Sequence, residues 1–187
     1  MAQIMQISPR EYKNRDAISS TIKYITRTRE HETKADHLIC WGDHSGYHHG
    51  KTPAQTIAEF EYLHYGIFHK TGSSLLHFSI KPYPTEFQQL GSDFNRLANY
   101  AVACCQYIYT LGYQCCFAIH CAPGVDVHIH LVMSSVSYQE EYKFSQYPTN
   151  VYNMIEKPLI DLFYRHLYSY SSFDDAIADH NMLNASF

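Results

Sequence analysis

Two periods of hydrophobic and polar residues run along this chain, and the switches between them mark its elements. Short runs of strand character, with alternate residues apolar, occur at Gln3–Ser8 (QIMQIS), His37–Trp41 (HLICW) and Leu75–Lys81 (LLHFSIK). The strongest are QCCFAIH and VHIHLVM within Tyr113–Val136, separated by a break carrying Pro123, Gly124 and Asp126, which is a hairpin signature. Between these runs the period lengthens to that of a helix. From Arg10 to Arg29, Ile18, Ile22 and Ile25 share one face, and Ala17, Thr21, Tyr24 and Thr28 line the next. Thr52-Pro53 caps a helix to about Tyr65. Thr85–Leu111 reads as a long helix weakened at Gly91-Ser92 and ended by Gly112. Thr149–Tyr170 is a last helix, with Val151, Ile155, Leu159, Leu162 and Phe163 inward and Pro158 kinking it. The pattern predicts an α+β fold, a central antiparallel sheet covered by helices on one side, as one domain over 1–187 with 171–187 a short helix or tail.

Side chains alternate faces along a strand, so His128 and His130 project from one side of the hairpin while Ile129 and Leu131 enter packing on the other. Folding the hairpin brings His120 across from that pair. Three imidazoles on one sheet face can hold a metal ion by side chains alone, with open positions left for substrate. The plainer alternative is three histidines that simply pack or face solvent in a chain holding 13 of them. A rival group, His44, His48 and His49, sits in a loop, where solvation is the commoner fate. On the strand Leu75–Lys81, His77, Ser79 and Lys81 share a face.

Composition narrows the classes. With 45% hydrophobic and 17% charged residues the chain is a folded globular protein. No apolar run has membrane-spanning length and the start MAQIMQISPR lacks a secretory core, so a cytoplasmic protein is expected. The six cysteines include two adjacent pairs in apolar surroundings and read as reduced, buried residues. A net charge of −4 argues against indiscriminate nucleic-acid binding. The charge is uneven, however. Residues 1–36 carry seven Lys/Arg against five Asp/Glu, and residues 137–187 carry three against seven, so a polyanion would meet the N-terminal part.

The spacing H-x7-H-x-H in AIHCAPGVDVHIHLVMS resembles the metal motif of plasmid mobilization relaxases of the MobA-like class, which are histidine–hydrophobic–histidine single-strand endonucleases. Upstream, IKYITR resembles the helix motif carrying the relaxase nucleophile, which falls on Tyr24, and HFSIKPYPTE resembles the middle motif, which falls on Ser79 and Glu86. The resemblance implies a relaxase that nicks and rejoins single-stranded DNA at an origin of transfer. Tyr24 would form a 5′-phosphotyrosine, with a divalent metal (Mn or Mg, with Zn or Ni as alternatives) on His120, His128 and His130. Ser79, Glu86, Arg27, Arg29 and Lys81 would contact substrate. Implied partners are single-stranded or hairpin origin DNA, accessory mobilization proteins and a coupling protein, without a membrane. One departure stands out: many relatives carry an acidic residue two positions after the first histidine, where this chain has Ala122.

Two other readings remain. A replication initiator or transposase of the same superfamily would use a tyrosine after the histidine motif, Tyr152 or Tyr164. A non-cleaving, metal-bearing DNA-binding module would keep the histidines and lose the chemistry.

Overall fold

The computed structural model describes residues 2–7, 12–29, 36–47, 50–67, 72–122, 126–140 and 142–168, together with 175 and 178. Five strands, β1 (Gln3–Ile7), β2 (His37–Asp43), β3 (Leu75–Lys81), β4 (Tyr113–Ala122) and β5 (Asp126–Ser137), form one sheet in the order β1-β3-β5-β4-β2. Every pairing is antiparallel. The β4–β5 hairpin therefore occupies the middle of the sheet, paired on both outer edges, and this fixes the direction of every side chain it carries.

The helices are α1 (Ala17–Ile25), α2 (Pro53–Glu61), α3 (Pro84–Gln89), α4 (Phe94–Thr110), α5 (Pro148–Val151) and α6 (Lys157–Tyr168). They cover both faces of the sheet, where the sequence pattern predicted one. On one face Phe78, Phe117, Ile129 and Leu131 pack with Leu97 and Cys104 of α4 and Leu159 and Phe163 of α6. On the other, Leu75, Cys116, Ala118 and Val132 pack with Ile18, Ile22 and Ile25 of α1 and Ile57 and Phe60 of α2. The reason lies in residue size: Ala118 and Cys116 are small, so the isoleucine stripe of α1 settles directly on the hairpin. The histidines share this second face.

Local signals place the ends. Thr52 Oγ1 accepts from Gln55 N at 3.3 Å and Gln55 Oε1 accepts from Thr52 N at 2.8 Å, a reciprocal cap on α2. The expected weakness at Gly91-Ser92 is a full break between α3 and α4, with left-handed φ of 73° and 54° at these two residues. The irregularity expected at Pro158 takes the form of a π-helical turn, Tyr152–Glu156, just before it. Pro158 has no N–H for the carbonyl of Met154, and the Tyr107 hydroxyl donates to that oxygen instead at 2.9 Å. All six cysteines are free thiols, four of them buried. Among the described residues no helix is long and apolar enough to cross a membrane. Most of 171–187 lies outside the described residues.

Candidate metal centre and its tyrosine

Strand register assembles the histidines. His120 lies directly across the hairpin from His128, and His130 sits across from Ala118, one step along the same face. The ring centroids are 5.3 Å (His120–His128), 4.7 Å (His120–His130) and 4.9 Å (His128–His130) apart. One ring nitrogen from each lies within 4.8 Å of the others. His120 and His130 are buried, and the His128 side chain is 11% exposed.

The protonation pattern suits a cation. His130 Nδ1 shares a hydrogen bond with His77 Nε2 at 2.9 Å, and among the described residues its buried Nε2 has no hydrogen-bond partner. A buried nitrogen without a partner is costly in a metal-free protein and is the natural ligand atom in a loaded one. The His120 Nε2–H donates to the Ile25 carbonyl at 2.6 Å, which makes Nδ1 the acceptor nitrogen; it accepts from Arg27 Nη2 at 2.9 Å, so a cation would take this lone pair only by displacing the guanidinium. Burial holds His130 and His120 below the ordinary imidazole range, reinforced at His130 by its histidine neighbours and at His120 by Arg27 and His128. Burial and then His120 push His77 down to about 4. Neutral imidazoles are the form that binds metals, so these residues fit a divalent cation.

A carboxylate also enters the site. Asp36 Oδ2 stands 3.3 Å from His120 Nδ1 and 3.6 Å from His128 Nε2. Burial alone would raise the Asp36 carboxyl, yet Arg27, a backbone hydrogen bond and the two histidines hold it below its ordinary range. Register explains its position. His37 pairs with Cys121, so Asp36 falls one step further along, level with Ala122. A carboxylate thus stands beside Ala122 on the neighbouring chain segment.

Helix α1 brings up the tyrosine. Its isoleucine stripe faces the sheet, and Tyr24, near its C-terminal end, lies edge-on to His130 with centroids 5.5 Å apart. The guanidinium groups of Arg27 and Arg29 stand 5.0 Å and 5.4 Å from the Tyr24 ring centroid. Arg27 adopts φ of 55°, outside the helical range, and this turn aims its side chain back at the site. There its Nη2 donates to Asp36 Oδ2 at 2.5 Å and to His120 Nδ1 at 2.9 Å, and its Nη1 donates to the Tyr24 carbonyl at 3.1 Å. Arg29 is exposed and donates to the Ser20 carbonyl. A cleft of about 330 Å³ opens beside Tyr24, lined by Ile7, Tyr12, Ser20, Thr21, Arg29 and His77.

Ser79 sits across from His130 on β3 and is buried, and Lys81 lies two positions on along the same strand face. The structure does not bring Glu86 to this group. Its carboxylate accepts from the Tyr83 N–H at 2.8 Å, capping α3, and from the Tyr164 hydroxyl at 3.0 Å, on the opposite side of the sheet. The proline turn after β3 reverses the chain, which carries Glu86 away from the histidines. Tyr164, the alternative nucleophile, is buried against Glu86 and also accepts from the Ala2 N–H at 3.2 Å. Tyr152 is half exposed, on the π-helical turn after α5. The His44 ring stacks on Tyr109 at 3.9 Å, and His48 and His49 lie outside the described residues.

Asp36, His77 and Tyr12 are the site residues that sequence reasoning missed. His77 had a usable signal, since it shares the strand face of Ser79. Asp36 and Tyr12 had none, because their positions follow from chain segments outside regular elements.

A family model described as "Relaxase: MobA/VirD2-like, nuclease domain" matches residues 24–159, well over half of the chain. The match begins at Tyr24 and takes in all three histidines. Comparison with curated proteins and with solved structures yields no match.

Proposed function

The chain belongs to the MobA/VirD2-like relaxase family, and we propose that it nicks and rejoins single-stranded DNA at an origin of transfer, with Tyr24 as the nucleophile. The observation that carries this reading is Tyr24 held edge-on to His130 at 5.5 Å, beside a face on which three imidazoles converge. A relaxase nuclease domain acts on DNA by nicking. The finer assignments, plasmid mobilization and a covalent phosphotyrosine, rest on this geometry together with the family's chemistry.

In the proposed reaction the Tyr24 phenolic oxygen forms a bond to the scissile phosphorus and the P–O3′ bond breaks. The phenolic proton ends, in net, on the departing oxygen. The products are a 5′-phosphotyrosine and a free 3′-OH, and attack by that hydroxyl on the same phosphorus reseals the strand. The number of phosphodiester bonds is conserved, which is the reason for a tyrosine where a hydrolase would use water. A divalent cation held by His120, His128 and His130 supplies positive charge to the phosphate when bound. The Ile25 carbonyl orients the His120 ring through its Nε2–H, and Arg27, which holds His120 Nδ1, would give way to the cation. Arg29, on the cleft wall, suits a phosphate contact, and Ser79 and Lys81 extend the polar track along β3. The partners of this reading are unpaired or hairpin origin DNA, accessory mobilization proteins and a coupling protein.

The test is to incubate the protein with single-stranded origin DNA and manganese or magnesium, then denature. A denaturation-resistant adduct is expected in wild type and absent in Tyr24→Phe, with DNA binding retained. An adduct that persists in Tyr24→Phe would reassign the nucleophile, and bound DNA without any adduct in wild type would favour a non-cleaving module.

A further inference from the structure

We propose that Tyr12 and His77 are positioning residues that fix the tautomer and ring orientation of His130 for metal binding. This rests on the reading of the three histidines as a metal centre. Three buried side chains from three separate parts of the chain form one line. The Tyr12 hydroxyl lies 2.8 Å from His77 Nδ1, and His77 Nε2 lies 2.9 Å from His130 Nδ1. Beyond them the His130 Nε2 faces the cluster with no hydrogen-bond partner among the described residues.

A neutral imidazole carries one proton, on one nitrogen or the other. For His130 to present a lone pair at Nε2, that proton must sit on Nδ1, and a nearby acceptor must hold it there. His77 Nε2 is that acceptor. His77 then carries its own proton on Nδ1 and donates it to the Tyr12 oxygen. One assignment therefore satisfies both hydrogen bonds and leaves a ligand lone pair in place. The reversed assignment would point a buried N–H at the other two rings and at any cation. Metal-binding histidines usually lean on such a partner through their other nitrogen. Here the partner is a second imidazole on β3, diagonal to His130 across the strand pair, because His77 pairs with Val132 and Ser79 with His130. Tyr12 lies upstream of the stretch that matches the relaxase family model, residues 24–159.

The experiment uses the full chain and three variants. His77→Phe keeps a ring and removes both nitrogens, His77→Gln restores an acceptor near the Nε2 position, and Tyr12→Phe removes only the hydroxyl. In the metal-free protein, nitrogen-15 NMR of the imidazoles should show His130 as the Nδ1–H tautomer in wild type and as a mixture in His77→Phe. Calorimetric titration with manganese(II) and cobalt(II) should show affinity falling roughly 10- to 100-fold in His77→Phe and less in Tyr12→Phe. His77→Gln should recover most of it, and the visible spectrum of bound cobalt(II) should change in His77→Phe and return in His77→Gln. Unchanged affinity and spectrum in His77→Phe overturn the proposal, as does an equal loss in Phe and Gln variants with lowered thermal stability in both. Failure of wild type to bind either ion while the His130 tautomer is fixed overturns the metal reading and leaves the relay standing; a mixed tautomer in wild type overturns the relay.

Discussion

Two substitutions at Arg27 separate what its side chain does from what its backbone does. The guanidinium joins Asp36, His120 and the Tyr24 carbonyl, and the Arg27 and Asp36 side chains are 14% and 16% exposed. Breaking a fully buried pair costs about 3–5 kcal/mol, whereas an exposed one is worth under about 1. This pair is mostly buried but touches solvent, so Arg27→Ala should destabilise the protein by about 2–3 kcal/mol. Arg27→Gly removes the same contacts but relieves the left-handed φ of 55°. A Cβ in that region costs roughly 1–2 kcal/mol, while glycine's extra freedom in the unfolded chain costs roughly 0.5–1. The relief wins, and the glycine variant should be the more stable of the two by about 0.5–1 kcal/mol. Urea unfolding of EDTA-treated protein at pH 7 measures both. An alanine variant as stable as wild type would refute the ion-pair argument, and a glycine variant less stable than alanine would refute the backbone argument.

Three further outcomes follow from the same contacts. Tyr164→Phe, which removes a buried hydroxyl bonded to Glu86 and Ala2, should cost about 1–3 kcal/mol of stability and leave adduct formation intact; loss of the adduct with stability preserved would revive the alternative nucleophile. Tyr107→Phe leaves the Met154 carbonyl without its donor at a solvent-facing position and should cost only about 0.5–1 kcal/mol in the same urea assay, a larger loss showing that the π-helical turn depends on it. Metal-free protein should lose stability as pH falls from about 6.5 to about 4, because the unfolded chain protonates His77 near 6.5 and the folded chain resists until about 4; this single group accounts for up to about 3 kcal/mol. The depressed His120 and His130 act in the same sense, so a melting temperature constant from pH 7 to pH 5 would contradict the neutral cluster.

How much of this could be read from the sequence depends on whether a residue's position follows from local period or from register between distant segments. The β4–β5 hairpin was legible because alternation alone puts His128 and His130 on one face, and a short turn allows few ways to set His120 against them. Tyr24 was legible for a related reason, since its offset from the isoleucine stripe of α1 decides that it points along the sheet and not into it. Glu86 was misplaced because the pattern after β3 shows a proline turn without showing its direction, and the buried bond to Tyr164 is a contact 78 residues away. Asp36 is the most telling case. The sequence shows Ala122 two positions after His120 and nothing acidic on that strand face. The pairing of His37 with Cys121 sets Asp36 level with Ala122, and Arg27 locks the carboxylate beside His120 and His128. A carboxylate acts through its distance from the rings and not through the element that bears it, so Asp36, in the segment just before β2, sets its charge beside His120 and His128. The same logic applies to His77, whose Nε2 reaches His130 Nδ1 from β3, 53 residues away in sequence.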